Sequence, residues 1–367
     1  MKPVGPRCNL SCSYCYYIGK QDLLETSGFG IMPDDILEKY IKDHFLAAGR
    51  QDVFFSWHGG EPLLAGLDFY RRALSLQAKH NTWQVTVRNG IQTNGTLIDE
   101  EWCSFFSREK FYVGISIDGE PSDHDKNRLT SAGKGSSAIV EDSIRRLVRH
   151  GVETELLCTV NKQNVSSPIE TYRHLKTLGA RFITFLPVVD TVSLKHGRGP
   201  GFSVLPDEFG NFLCAVFDEW LSFDIGTVKI QIIEEALRTA FGQGHTLCIF
   251  KKTCGTVPVI EHDGELYSCD HYVDDGYRIG NISQGSLASY LDSERQQSFG
   301  REKERLPSAC MKCEVLSMCN GECPRNRILK SKPGEPGLNY LCSGYKKFFL
   351  HVTPFIAAVS AEWRRKS

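Results

Sequence analysis

The chain has 367 residues, 41% of them hydrophobic, enough to bury a large core and to divide into two domains. A formal net charge of -1 and a pI near 6.8 exclude a global electrostatic pull toward nucleic acid or anionic membrane. No run of eighteen apolar residues is present to span a bilayer, and the opening M-K-P-V-G-P-R-C lacks the apolar core of a secretory signal.

These features predict a cytoplasmic protein, where thiols stay reduced and fourteen cysteines point to metal rather than disulfides. The first three, Cys8, Cys12 and Cys15, form a C-x3-C-x2-C loop. A closed structural zinc or iron–sulfur site takes four protein ligands, so three thiolates leave one coordination position open. Buried or oxidised cysteines, or a zinc site completed by a remote ligand, are the bland readings. The spacing resembles the cluster loop of the radical S-adenosylmethionine (SAM) enzymes. That resemblance implies a [4Fe–4S] cluster whose fourth corner binds the amino and carboxylate groups of SAM. The short amino terminus leaves little room for a full strand before Cys8.

From about residue 50 to 240, β-rich runs alternate with amphipathic helical patterns. The strands expected are Val53–Trp57, Val85–Gln92, Tyr112–Ile117, Glu155–Val160 and Phe182–Leu186. The helices between them are Asp68–Lys79, Asp99–Ser107, Ser137–His150 and Pro168–Leu178. This pitch predicts parallel strands with crossover helices. A partial barrel of about six βα units fits the count better than an open doubly wound sheet; both place chemistry at the carboxyl ends of the strands. Asp190–Pro206 is expected as a long loop, followed by helices over Pro206–Ser222 and Gln231–Phe241. Cys103, Cys158 and Cys214 lie in apolar or helical contexts and are expected in the core.

The strand ends carry polar motifs. The first runs into H-G-G-E-P, where Gly59 and Gly60 permit close backbone approach and Glu61 is suited to accept from an ammonium group. The second ends in Q-T-N-G-T with Gln92, Thr93 and Asn94, and the third in S-I-D-G, followed by H-D-K-N-R. Ser116 and Arg128 are candidates for the methionyl carboxylate, since a guanidinium fork matches a carboxylate. Asp118 caps the turn. Tyr14 or Tyr16 is placed to shield the cluster and touch the adenine, and Leu186 with Pro187 to line the adenine pocket. Ordinary turn and surface roles are the alternatives for these residues.

After Gly242 the texture changes to short segments, frequent cysteines and few long periodic runs, which predicts a second, metal-stapled domain. The domains expected are therefore 1–242 and 243–367. Cys254, Gly264 and Cys269 give C-x9-G-x4-C; Cys310, Cys313, Cys319 and Cys323 give C-x2-C-x5-C-x3-C; Cys342 follows after a gap. This series resembles the SPASM domain of radical-SAM maturases. With Cys248 it supplies eight thiolates, enough for two [4Fe–4S] clusters. The resemblance implies Cys248, Cys254, Cys269 and Cys323 on the first auxiliary cluster, and Cys310, Cys313, Cys319 and Cys342 on the second. Two zinc sites of four thiolates each are the alternative from spacing alone. The fold implied is α/β, a partial (β/α)6 parallel barrel of radical SAM type followed by a small cysteine-rich α+β SPASM domain.

Along nearly the whole length the chain is most similar to the anaerobic sulfatase-maturating enzymes. The shared segments are C-N-L-S-C-S-Y-C-Y-Y, W-H-G-G-E-P-L-L-A-G-L-D-F-Y, Q-T-N-G, G-I-S-I-D-G, N-G-E-C-P-R and C-D-H-Y-V. The resemblance implies oxidation of the Cys or Ser of a sulfatase C/S-x-P-x-R motif to Cα-formylglycine. A 5′-deoxyadenosyl radical would take a Cβ hydrogen, Asp270, directly after Cys269, would act as base, and the auxiliary clusters would accept an electron. Burial near clusters is expected to raise the Asp270 pKa toward a useful value; a hairpin turn residue is the bland alternative. Where family members carry a further cysteine, this sequence has Asp275. Partners implied are an unfolded sulfatase polypeptide or peptide and an electron donor such as flavodoxin or ferredoxin, with no nucleic acid and no membrane. One rival is another SPASM maturase forming thioethers or crosslinks in a ribosomal peptide; a basic leader-binding region would mark it, and none is expected here. A zinc-stapled scaffold protein is the other.

Overall fold

The computed structural model describes residues 1–17, 20, 30–332 and 334–366. Six strands form one parallel sheet in strictly sequential order: β1 (Val53–Trp57), β2 (Val87–Thr93), β3 (Tyr112–Ser116), β4 (Glu153–Val160), β5 (Phe182–Pro187) and β6 (Lys229–Ile230). An order without reversal has no switch point, so right-handed crossovers all fall on the same side. That is barrel-type winding and excludes the doubly wound alternative. Among the described residues, no helix is long and apolar enough to cross a membrane.

The chain divides into two compact units. The first comprises Met1–Ser116, Asn127–Glu155 and Gly255–Phe299. Here β1 has buried Val53, Phe55 and Trp57 alternating with exposed Phe54 and Ser56, the period-two pattern of a half-covered strand. Phe55, Trp57, Phe69, Tyr70, Phe105, Phe106 and Phe111 fill the core with edge-on and tilted ring contacts. Helix Leu67–His80 and helix Glu100–Arg108 supply several of these rings. The unit also holds a small antiparallel sheet, β7 (Val259–Ile260), β8 (Glu265–Tyr267) and β9 (Arg278–Asn281). The segment before Cys8 forms no strand, yet residues 1–6 are buried. Lys2 N–H donates to Ile260 O at 2.9 Å, and Gly60 N–H to Gly5 O at 2.9 Å.

The second unit comprises Ile117–Lys126, Leu156–Cys254 and Gly300–Ser367. It corrects the expectation of few long periodic runs after Gly242: Cys342–Lys366 is a 25-residue helix. Tyr345, Phe348, Phe349 and Val352, all buried, follow helical spacing along its first half. Pro354 inside the helix removes one backbone donor and hides that periodicity from a sequence reading. The helix packs on Pro206–Phe223, where a Cβ on Gly344 would lie 2.1 Å from Pro206 O; only glycine allows this approach. The expected loop Asp190–Pro206 contains a short helix, Thr191–Lys195, which Asp190 caps by accepting from Ser193 N–H at 3.0 Å. The two-residue β6 is too short to leave a pattern in sequence.

Candidate active site

The cysteine loop is moored to the segment after Lys126. Ser11 N–H donates to Leu129 O at 2.8 Å and Ser13 N–H to Asn127 O at 3.1 Å, while the Ser13 hydroxyl reaches Asn127 Oδ1 at 2.6 Å. Cys15 N–H closes a turn on Cys12 O at 3.1 Å. The same mooring segment carries Arg128, whose guanidinium stands 5.6 Å from the Tyr14 ring centroid, a cation–π distance. Two candidate SAM contacts, Tyr14 and Arg128, are thereby brought together at the loop. Ser116 is half-buried at the end of β3, in the same unit. Leu186 lies in the second unit, 43% exposed.

The G-G-E-P segment has an internal use. Glu61 N–H donates to Arg7 O at 2.7 Å, so the chain just before Cys8 runs against Gly60 and Glu61. A Cβ on Gly60 would stand 2.0 Å from that Arg7 oxygen. The close backbone approach expected here is therefore made by the chain's own amino-terminal segment. Gly60→Ala should displace Arg7 and with it Cys8. The expected result is reduced iron uptake on anaerobic reconstitution and loss of SAM cleavage, checked by iron analysis and 5′-deoxyadenosine assay.

Glu61 is fully buried and its carboxylate is occupied. It accepts from Leu63 N–H at 3.0 Å, the Thr93 hydroxyl at 2.7 Å and Asn94 N–H at 2.8 Å. These bonds tie the end of β1 to the end of β2, while burial pushes Glu61 up to about 7. Its side chain braces the two strand ends. Asn94 in turn points its amide at the cysteine loop, donating to Asn9 Oδ1 at 2.9 Å and to Cys8 Sγ at 3.6 Å.

Asp270 follows Cys269 after β8. Tyr16, the residue after Cys15, donates its hydroxyl to Asp270 Oδ2 at 2.7 Å. Lys2 Nζ lies 2.8 Å from Asp270 Oδ1 and 3.5 Å from Glu261 Oε1, with both Lys2 and Glu261 fully buried. The same ammonium sits 3.3 Å from the Tyr17 ring centroid, and the Tyr17 hydroxyl donates to Glu261. His58 Nδ1 stands 4.0 Å from Asp270, its ring driven to about 3 by burial and therefore neutral. The expected rise in the Asp270 pKa is corrected. Burial acts upward, but the Lys2 ammonium 2.8 Å away leads the groups that outweigh it and hold the carboxyl well below its usual range. Lys2, His58 and Glu261 were missed from sequence; the H-G-G-E-P string held His58, but nothing local marked Lys2.

None of the fourteen cysteines is in a disulfide. In the second unit Cys310, Cys313, Cys319 and Cys342 lie within electrostatic reach of one another. After burial, the Cys310 and Cys313 thiols push Cys342 up, and burial pushes Cys319 up to about 12, with Cys342 and Cys310 adding to it. Cys248, Cys254 and Cys323 form another group, around Lys303. Cys269 belongs to the first unit. Among the described residues no three His, Cys, Asp or Glu converge as a single metal ion requires. A donor set made only of thiols, in groups of three and four, fits iron–sulfur ligation.

A model of the radical SAM superfamily matches residues 3–175, and one of an iron–sulfur cluster-binding domain matches residues 250–314. The serine-type anaerobic sulfatase-maturating enzyme of Bacteroides thetaiotaomicron is 42% identical, over 99% of this chain and 91% of its own length. The cysteine-type enzyme of Clostridium perfringens is 33% identical, over 98% and 97%. The solved structure of native anSMEcpe with bound AdoMet and Kp18Cys peptide superposes with a TM-score of 0.89 at 32% identity, covering 98% of both chains. The chain thus belongs to the anaerobic sulfatase-maturating enzymes of the radical SAM superfamily.

Proposed function

We propose that this enzyme oxidises the Cys or Ser of a C/S-x-P-x-R motif in an unfolded sulfatase polypeptide to Cα-formylglycine. The observation that carries the reading is the Asp270 carboxyl group, bonded to the tyrosine that directly follows Cys15 and held against the Lys2 ammonium. It puts a proton acceptor beside the loop expected to hold the radical-generating cluster. When bound, SAM on that cluster supplies hydrogen-atom abstraction, and the auxiliary clusters supply acceptors for one electron.

The chain's own residues divide the remaining work. Cys8, Cys12 and Cys15 would hold the initiating cluster, three thiolates leaving a coordination position for SAM. Gly59, Gly60, Asn94, Ser116, Arg128, Leu186 and Tyr14 line the SAM site, with Glu61 fixing the two strand ends. Asp270 receives the thiol or hydroxyl proton at a carboxylate oxygen, while Lys2 and Tyr16 fix that carboxylate's position. Cys248, Cys254, Cys269 and Cys323 hold one auxiliary cluster; Cys310, Cys313, Cys319 and Cys342 hold the other. Residues 1–242 form the SAM domain and 243–367 the auxiliary-cluster domain. A protein of the flavodoxin or ferredoxin class would be the electron-donating partner, in the cytoplasm.

The test is to incubate reduced, anaerobically reconstituted enzyme with SAM and short peptides carrying C-x-P-x-R or S-x-P-x-R. Conversion of the Cys or Ser to an aldehyde, read by mass spectrometry, is the expected result. Production of 5′-deoxyadenosine with both peptides unchanged would overturn the substrate assignment. Zinc without labile sulfide in the purified protein would overturn the cofactor assignment.

A further inference from the structure

Lys303 is a fully buried cation whose hydrogen bonds reach only neutral groups. Its ammonium donates to Cys248 O at 2.6 Å and to Ile249 O at 2.7 Å. Among the described residues no carboxylate forms an ion pair with it. The buried Glu322 beside it is taken up by the side-chain amides of Asn326 and Asn339. Arg327, a second cation, donates to Lys303 O at 2.7 Å, which adds positive charge rather than cancelling it. A buried ammonium with no carboxylate in ion-pair contact is costly, so its charged form calls for further negative charge at the site.

The backbone fixes where that anion must be. Cys254 N–H donates to Gly300 O at 3.1 Å, and a Cβ on Gly300 would stand 2.8 Å from Cys254 O, so the turn leading into Lys303 lies against Cys254. With Cys248 held through its carbonyl, Lys303 is anchored on two of the assigned ligands of the first auxiliary cluster. Among the groups that interact with its charge are the thiols of Cys254, Cys248 and Cys323, each able to form an anion.

We propose that Lys303 is the counter-cation of the first auxiliary cluster and raises that cluster's affinity for the single electron leaving the substrate radical. This inference rests on the cluster assignment made above. A thiolate-ligated cluster carries net negative charge and becomes one charge more negative on reduction. A fixed cation in a low-dielectric site therefore favours the reduced form. In this step the substrate radical loses one electron and the cluster gains it. No bond to Lys303 forms or breaks, and no proton moves to or from it.

The experiment is an EPR-monitored redox titration of anaerobically reconstituted wild type, Lys303→Met and Lys303→Arg, with the second auxiliary cluster as internal control. Lys303→Met should lower the first auxiliary cluster's potential by at least a tenfold change in its one-electron equilibrium, ~59 mV. Lys303→Arg should restore it. Equal potentials in all three proteins overturn the proposal while leaving the cluster assignment intact. If the Met variant fails to retain the cluster, iron and sulfide counts decide. Retention by Lys303→Arg alone supports a charge role; loss from both variants shows that contacts to the carbonyls matter instead, and overturns it. Zinc in place of iron in the wild type overturns the cluster assignment, and the role of Lys303 with it.

Discussion

Asp270→Asn should reduce formylglycine formation by about 10²–10⁴-fold, the usual worth of a positioned base, while SAM cleavage to 5′-deoxyadenosine continues. The substitution preserves shape, and the new amide oxygen still accepts from Tyr16, whose hydroxyl lies 2.7 Å from the native carboxylate. It removes the proton acceptor and the charge opposite Lys2. Asp270 is held well below the usual carboxylate range, so its ionised form persists through neutral and mildly acid pH. The wild-type rate should therefore show no acid limb from Asp270 until pH falls below the ordinary aspartate value of about 3.9. A strongly stabilised carboxylate is a weak base toward an ordinary thiol or alcohol. The proton becomes easier to remove once the adjacent carbon carries an unpaired electron, because loss of the proton and of that electron together completes the carbonyl or thiocarbonyl. A low pKa is compatible with that order of events, and it keeps the site ready before substrate is attacked. Both products are quantified by mass spectrometry in one reaction. A parallel fall of 5′-deoxyadenosine and formylglycine would assign Asp270 to scaffolding; undiminished formylglycine would move the base elsewhere.

Local pattern carried the sheet and failed where partners are distant in sequence. The strands β1 to β5 were legible because aromatic and β-branched residues alternate with polar ones between helical stretches, and each lies within two residues of its expected bounds at either end. The lone Lys229–Ile230 pair offers no period. The same limit applies at the site. Cysteine spacing marks a ligand set without geometry, because thiol chemistry is written in the residue type. Gly59 and Gly60 announced a close approach, but only the fold shows that the approaching backbone belongs to Arg7. The direction of the Asp270 shift was misjudged for a related reason. Burial is inferable from a hairpin flanked by apolar residues, whereas the cation that reverses its effect comes from the opposite end of the chain.

Lys2→Met should cost about 3–5 kcal/mol of stability at neutral pH, the range for removing one partner of a buried ion pair. The variant leaves Asp270 and Glu261 near one another without their shared cation, and removes the ammonium from the Tyr17 face. The pH dependence separates this electrostatic cost from simple loss of packing. In the wild type the folded pKa of Asp270 lies below its unfolded value, so its stabilisation is complete above about 3.9 and is lost only as pH falls through the lower, folded value. Glu261 runs the other way. Burial raises it more than Lys2 and Tyr17 lower it, so its favourable contribution is complete below about 4.3 and is lost as pH rises through its folded value. Without Lys2, Asp270 loses the largest force holding it down, and its behaviour moves toward that of Glu261. Protonating either carboxyl then relieves the unpaired charge. The gap in melting temperature between wild type and Lys2→Met should consequently be wide at about pH 8 and narrow toward about pH 5. A gap of constant width across that range would mean that Lys2 acts by filling space, with its charge contributing nothing to the fold around Asp270.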